Sequence, residues 1–351
     1  MPLVNDATDE TTRNWTIIGE LGSASGGSGP EPVLAAADLA AVTGWTPKPE
    51  GWCRGSECIP ASFIGDVASA EAIAPSAAAT ALGAAMAVDE QHRIAVIGTR
   101  LDYAASLASG VAPDFEMVAV DGTRRQLFGE DRRKTLVVAF SSWCGCRYDL
   151  PGWKELRDEV GHDRLDIIGV AIDESTEDVV EWAEPVDFPV LVDVDRQFAD
   201  TYGLVNVPTI LWVDEDRHVV RPPSVEFSSD DFTSVHGVES GAHLDAVRRW
   251  VDDDELAVAD APVNQAPPRE LSAEQRQARV EFRLALELLR RGEADAAAER
   301  IATADRLAPD DFTIWRAGMK LVGDDPFGAE FFDRYTDWQQ RYGGPLQVTE
   351  G

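Results

Sequence analysis

From Pro113 onward, short runs of Val, Ile and Leu alternate with stretches whose apolar residues recur every three or four positions. FEMVAVDG, TLVVAFSS, LDIIGVAID, FPVLVDVD, VPTILWVD and HVVRP read as strands. PGWKELRDEV, STEDVVEWA and GAHLDAVRRWV read as helices. Unbroken apolar strands flanked by amphipathic helices predict a sheet covered on both faces. Upstream the pattern is shorter. VLAAADLAAV predicts a helix over Val33–Val42, the alanine-rich residues 68–88 are helical in propensity, and RIAVIG predicts a strand over Arg93–Gly98. At the other end, Ser272 and Gln275 form a capping box ahead of one helix, Gly292 ends it, and EADAAAERIATADRLAP predicts the next.

Read this way, the chain divides into five parts. Residues 1–30 end in the Gly/Ser/Pro run LGSASGGSGP and read as a flexible tail. Residues 31–108 form a small α/β unit, 109–251 a larger α/β domain, 252–271 a charged, proline-rich linker, and 272–345 an all-helical segment. The linker predicts that the helical segment folds separately and can be removed.

Charge changes the picture more than composition does. A chain of 351 residues with 44% hydrophobic positions is globular and long enough for two or three domains. Asp and Glu number 63 against 31 Lys and Arg, a formal −32, which excludes nucleic-acid phosphate and anionic membrane surfaces as partners. Lysine occurs only at Lys48, Lys134, Lys154 and Lys320, so the other 27 basic residues are arginine. This balance points to a halophilic or GC-rich origin. No stretch reaches the ~18 apolar residues of a membrane span. MPLVNDATDETTRNW lacks the basic and apolar regions of an export signal, so a cytoplasmic location is expected.

The four cysteines fall in two tight pairs, Cys53/Cys58 and Cys144/Cys146. In a reducing compartment such pairs point to redox or metal chemistry rather than to a disulfide framework. TLVVAFSSWCGCRYDLPGW places the second pair between a buried strand and a helix. A thiol at a helix N-terminus is favoured as thiolate. Trp143 can shield one side of it, Arg147 adds positive charge, and Pro151 is expected to kink the helix. The five histidines, His92, His162, His218, His236 and His243, are scattered and read as surface or packing residues.

The segment from about Pro113 to Val251 resembles the thioredoxin-like superfamily, in particular its redoxin branch of cytochrome-maturation thioredoxins and peroxiredoxin relatives. That branch carries Trp-Cys-x-x-Cys-Arg-x-acid-x-Pro. Trp143, Cys144, Cys146, Arg147, Asp149 and Pro151 fill it with one residue deleted between the cysteines. Val207-Pro208-Thr209, 62 residues beyond Cys146 at Pro208, supplies the second landmark. The resemblance implies that Pro208 is cis and packs beside the sulfurs. The fold class is thus α/β, a thioredoxin-like central domain between a small α/β unit and helices. Within those helices Ala285, Leu288, Ala297, Ile301, Ala304 and Pro309 resemble a single tetratricopeptide hairpin, although Glu281 stands where that repeat has Trp.

The deletion shapes the expected activity. Cα atoms two residues apart lie roughly 5–7 Å from each other, within disulfide range. Gly145 is expected to supply the unusual dihedrals of so small a ring. A strained ring is the more readily reduced, which leans toward disulfide donation or isomerisation. The resemblance makes Cys144 the attacking thiol and Cys146 the resolving one, on protein or small-molecule thiols and disulfides, with no cofactor and no metal. Three other readings stay open. A peroxiredoxin-like peroxidase fits Ser141, three residues before Cys144, but Val137 and Pro208 stand where that pattern has proline and arginine. The four cysteines could instead build a thiolate zinc site, or the domain could be a redox-inactive scaffold. Cys53/Cys58 reads as a second redox pair or a local clip, and the C-terminal helices as a surface for a partner protein.

Overall fold

The computed structural model describes residues 13–55, 57–99, 111–221, 223–256 and 271–342. The first twelve residues of the expected tail, most of the expected linker and the last residues of the helical segment lie outside them. The chain forms two compact units, one of residues 1–100 with 272–307, the other of residues 101–271 with 308–351.

In the first unit a four-stranded sheet runs β2-β1-β9-β8, with β1 at Thr16–Ile18, β2 at Ser23–Ser25, β8 at Met86–Asp89 and β9 at Ile94–Ile97. β1 pairs parallel with β9, Ile17 opposite Ala95, so two stretches of the expected tail, Thr16–Ile18 and Ser23–Ser25, are sheet strands. The reason is apolar: Ile17 is fully buried and shares a core with Leu39, Val42, Trp45, Trp52 and Leu82. The expected Val33–Val42 helix runs over Ala36–Thr43, after a two-residue strand, β3, at Leu34–Ala35. Of the alanine-rich stretch 68–88, only Pro75–Leu82 is regular helix, and its end contributes β8. A second, three-stranded sheet holds β4 (Thr46–Lys48), β5 (Gly51–Arg54) and β6 (Glu57–Pro60).

The Ala273–Arg290 and Ala294–Leu307 helices complete this same unit. Ser272 caps the first through the expected capping box. Nine consecutive residues of it, Ala278–Leu286, are buried, because one side faces its partner helix and the other the β8–β9 sheet. A Cβ on Gly98 would stand 2.9 Å from Val280. Gln277 donates to the Met86 carbonyl at 3.0 Å, and Arg291 to the His92 carbonyl at 2.9 Å. Arg300 bridges the Val88 carbonyl and Glu281.

The second unit carries a six-stranded sheet in the order β11-β10-β14-β13-β12-β15. Its strands are β10 (Glu116–Ala119), β11 (Arg124–Gln126), β12 (Lys134–Phe140), β13 (Leu165–Ala171), β14 (Val190–Val192) and β15 (Thr209–Val213). β12, β13 and β14 are parallel, while β15 and β10 flank them antiparallel. All seven residues of β12 are buried. The Leu150–Val160 helix buries Leu150, Trp153, Leu156 and Val160. The Gly241–Asp253 helix buries Trp250, whose ring lies 5.0 Å from that of Trp212. HVVRP makes only isolated bridges, Val213 to Val219 among them, rather than a strand.

The helices from Ser272 therefore do not form one separable segment. Phe312–Val322 and Ala329–Tyr342 lie in the second unit. The Phe312 amide donates to the Val205 carbonyl at 2.8 Å, and Arg196 donates to the Thr313 carbonyl at 2.7 Å and to its hydroxyl at 2.9 Å. The Phe312–Val322 helix buries Phe312–Met319, while the Ala329–Tyr342 helix buries Phe331 and leaves Phe332 exposed. Ala285, Leu288, Ala297, Ile301 and Ala304 are all buried in the first unit, while Pro309 falls in the second. Among the described residues no helix is long and apolar enough to cross a membrane.

Candidate functional site

β12 ends at Phe140, and the chain turns through Ser141-Ser142-Trp143 into Cys144. Cys144 precedes a single 3₁₀ turn, Gly145–Asp149, and the regular helix begins only at Leu150. Pro151 thus sits in the first turn of that helix, where its N–H would have no intrahelical partner and a proline is tolerated, rather than one turn into it. Cys144 and Cys146 are joined by a disulfide with their Cα atoms 5.2 Å apart. Gly145 between them does not adopt a positive φ, so the ring makes no demand that only glycine meets. The Phe232 ring covers this residue: a Cβ on it would stand 3.5 Å from the ring, an ordinary contact.

The surroundings distinguish the two sulfurs. The Cys146 amide donates to Cys144 Sγ at 3.3 Å, and this sulfur lies 3.6 Å from the carbonyl oxygen of Val207. The Val207–Pro208 bond is cis, as the resemblance implied. An N–H aimed at Cys144 stabilises a charge there. Exposure separates the residues little, at 5% for Cys144 and 3% for Cys146. Trp143 is buried beside them. Arg147 donates to the Ser142 carbonyl and stacks over Tyr148, Trp182 and Phe327 at 4.8, 4.4 and 4.8 Å.

Several neighbours escaped the sequence reading. Asp149 was legible as a motif position, but its partners were not. It is buried and accepts from the amides of Ser228 and Ser229 and from both their hydroxyls. Burial pushes its carboxyl up to about 6, against these hydrogen bonds. Gly152 permits the approach, since a Cβ there would lie 2.5 Å from Ser228 Oγ. Phe232, on the same segment, covers Gly145. His236 stacks on Phe227 at 3.7 Å, and burial lowers it and His243 to about 4, so both are packing residues.

A second group follows β13. Asp173, fully buried, accepts from Ser141 Oγ at 3.0 Å and from the Ser142 amide at 2.9 Å. Glu174 beside it is pushed up to about 7 by burial and by the Asp173 charge. The signal was present in LDIIGVAIDES as two acids closing a buried strand, but only the parallel pairing of β12 and β13 brings them beside Ser141.

Cys53 and Cys58 belong to the other unit. They face each other across the β5–β6 hairpin and are disulfide-bonded, Cα to Cα 4.1 Å. Cys53 is buried and Cys58 exposed, and Glu50 Oε1 lies 4.0 Å from Cys53 Sγ. All four cysteine sulfurs stand in disulfides in this structure.

Residues 109–221 match the AhpC/TSA family model. The thiol-disulfide oxidoreductase ResA of Bacillus thuringiensis subsp. konkukian is 26% identical over 113 residues, 31% of this chain and 65% of that protein. The ResA of Bacillus subtilis (strain 168) is also 26% identical, over 31% of this chain and 63% of its own length. The chain thus spans somewhat less than two thirds of the curated relatives it matches. Among solved structures, a thiol:disulfide interchange protein DsbE of Chlorobium tepidum, described as putative, aligns at 25% identity. That alignment covers 33% of this chain and 84% of that one, with a TM-score of 0.31. The family match falls on the very sheet whose loops carry Cys144, Cys146 and the cis Pro208, and over residues 109–221 the chain is similar to the redoxin branch of the thioredoxin-like superfamily.

Proposed function

We propose that the protein is a thiol-disulfide oxidoreductase working through Cys144 and Cys146 on protein or small-molecule thiols and disulfides. The observation that carries this reading is the Cys144–Cys146 disulfide, set at the end of β12 and beside the Val207 carbonyl. In the reducing direction, the Cys144 thiolate attacks a substrate disulfide, one substrate thiolate leaves and takes a proton, and a mixed disulfide forms. Cys146 then attacks Cys144 Sγ, closes the internal disulfide and releases the second substrate thiol. Donation is the reverse, with substrate thiolate attacking Cys144 and Cys146 leaving. The single residue between the sulfurs is the sequence feature that favours the donor or isomerase direction.

Peroxide reduction is less well supported. Ser141 Oγ is occupied by Asp173 at 3.0 Å, and Pro208 stands where the peroxidase pattern has arginine. Incubation of the oxidised protein with a reduced dithiol peptide tests the reading. Peptide oxidation matched by two new protein thiols supports it. Turnover of hydroperoxide without peptide oxidation would replace it with the peroxidase.

For Cys53–Cys58 the local geometry favours a clip. An incoming thiolate reaches the exposed Cys58 and must expel Cys53, which is buried with a carboxylate beside it, a poor leaving group. We expect Cys53→Ser/Cys58→Ser to keep exchange at Cys144 and to lose about 2 kcal/mol of stability, the scale for so short a loop. Lost turnover at unchanged stability would make the pair a relay instead.

The acidic surface supports a salt requirement. A formal −32 repels itself, and the Debye length shortens from ~10 Å at 0.1 M to ~3 Å at 1 M. The melting temperature is expected to rise between 0.1 and 2 M KCl. An unchanged or lower value counts against a halophilic protein.

A further inference from the structure

The family match ends at residue 221, yet the loop leading into Cys144 is held from far beyond it. Thr313, Arg316 and Lys320 recur at helical spacing along the Phe312–Val322 helix and share one face. Thr313 is gripped by Arg196, which ties this face to the second unit. Further along it, Lys320 Nζ donates to Ser142 Oγ at 3.2 Å, Asp173 at 3.3 Å and Asp178 at 2.7 Å. Arg316, 7% exposed, places its guanidinium 5.8 Å from the Trp143 ring, 5.0 Å from Phe327 and 3.7 Å from Phe331. Ser142 and Trp143 are the two residues immediately before Cys144. A helix some 175 residues downstream thus touches both.

We propose that Lys320 and Arg316 are positioning residues of the redox site, Lys320 by tying Ser142 to Asp173 and Arg316 by holding Trp143, and that together they keep Cys144 reactive. This rests on the exchange reading above. Two physical effects follow from the contacts. The first is geometric. Cys144 Sγ meets the Cys146 amide and the Val207 carbonyl only while the Ser142–Trp143 backbone is fixed; Ser142 donates to Asp173 through its amide and its hydroxyl, and Lys320 braces that pair by donating to both partners.

The second is electrostatic. The charged groups around the approach to Cys144 are Arg147 and Asp149 on the turn after it, Asp173, Glu174 and Asp178 after β13, and Arg316 and Lys320 on the helix. The segment over Gly145 adds Asp230 and the neutral His236. The five carboxylates among these disfavour a neighbouring thiolate when ionised, and Lys320 is the cation in contact with two of them, Asp173 and Asp178. Without it, Asp173 keeps only the Ser141 and Ser142 donors in a buried position.

The test is the pH profile of Cys144 alkylation by iodoacetamide in the fully reduced, full-length protein, read by peptide mass spectrometry. Lys320→Met is expected to slow alkylation at pH 7 by roughly 5- to 10-fold and displace the profile to higher pH, as loss of one nearby cation does. Lys320→Arg should restore it to within about twofold, since the charge and its donors remain. A Lys320→Met profile that superimposes on wild type overturns the proposal. Should Lys320→Met fail to fold, Ser142→Ala takes its place. It removes the hydroxyl through which Lys320 and Asp173 both hold Ser142, leaves the helix and the Lys320–Asp173 contact in place, and should displace the profile in the same direction by a smaller step; an unmoved profile overturns the proposal equally. Exchange by the wild type is measured alongside. Its absence refutes the functional reading, whereas exchange with an unmoved Lys320→Met profile refutes only the role of Lys320.

Discussion

Cys144→Ser is expected to bring dithiol exchange down to the uncatalysed rate, while Cys146→Ser accumulates mixed disulfides with substrate. The two sulfurs are almost equally covered, so burial alone does not assign their roles. The hydrogen bond does. The Cys146 amide points at Cys144 Sγ, and a donor on the sulfur stabilises the thiolate that must attack. With Cys144 gone, no group in this position can form the mixed disulfide. With Cys146 gone, the mixed disulfide forms and nothing resolves it. Gel-shift and mass analysis after incubation with a disulfide peptide separates the two. Trapping by Cys144→Ser instead would reverse the assignment.

The second large effect is expected from truncation after Asp254. A proline-rich stretch followed by a capping box reads as a domain boundary, and on that reading the shortened chain stays folded. The structure leads to the opposite expectation. Removing Ala273–Leu307 strips from the first unit the buried Val280, Phe282, Leu284, Leu286 and Leu288. At about 1.5–3 kcal/mol for each large side chain, the loss approaches or exceeds the ~5–15 kcal/mol stability of a typical protein. Removing Phe312–Tyr342 takes Arg316 and Lys320 from the second unit. The truncated chain should aggregate or melt without a cooperative transition. A soluble product with wild-type melting and exchange would restore the boundary at the linker.

How much of this was legible depended on whether the information was local. β12, β13 and the Leu150–Val160 helix were read correctly because a fully buried parallel strand is a continuous apolar run and a half-buried helix repeats its apolar positions. The capping box at Ser272 is likewise a short-range device, visible in four residues. β1 was read as tail because three residues, Thr16–Ile18, leave no periodicity, and their pairing partner in β9 lies about 78 positions away.

The helix Ala273–Arg290 shows information of the other kind. Arg279, Glu281 and Arg283 carry charge and are nonetheless all buried. Arg283 reaches the Gly19 carbonyl, and Glu281 pairs with Arg300 at 2.9 Å. A charge is admitted to an interior only where hydrogen-bonding partners meet it, and those partners come from distant segments. Composition cannot announce them.

The same division runs through the site. The sequence by itself determined the two cysteines, the deletion between them, Trp143, Arg147 and the proline that becomes cis Pro208, since each is a residue identity at a fixed spacing. Only the tertiary structure decided what surrounds them: Asp149 under Ser228 and Ser229, Asp173 beside Ser141, Phe232 over Gly145, Arg316 and Lys320 against Trp143 and Ser142. These partners lie 30 to 180 positions from the residues they touch. Their identity follows from how strands pair and where helices dock, which depends on burying apolar surface across the whole chain rather than on any local pattern.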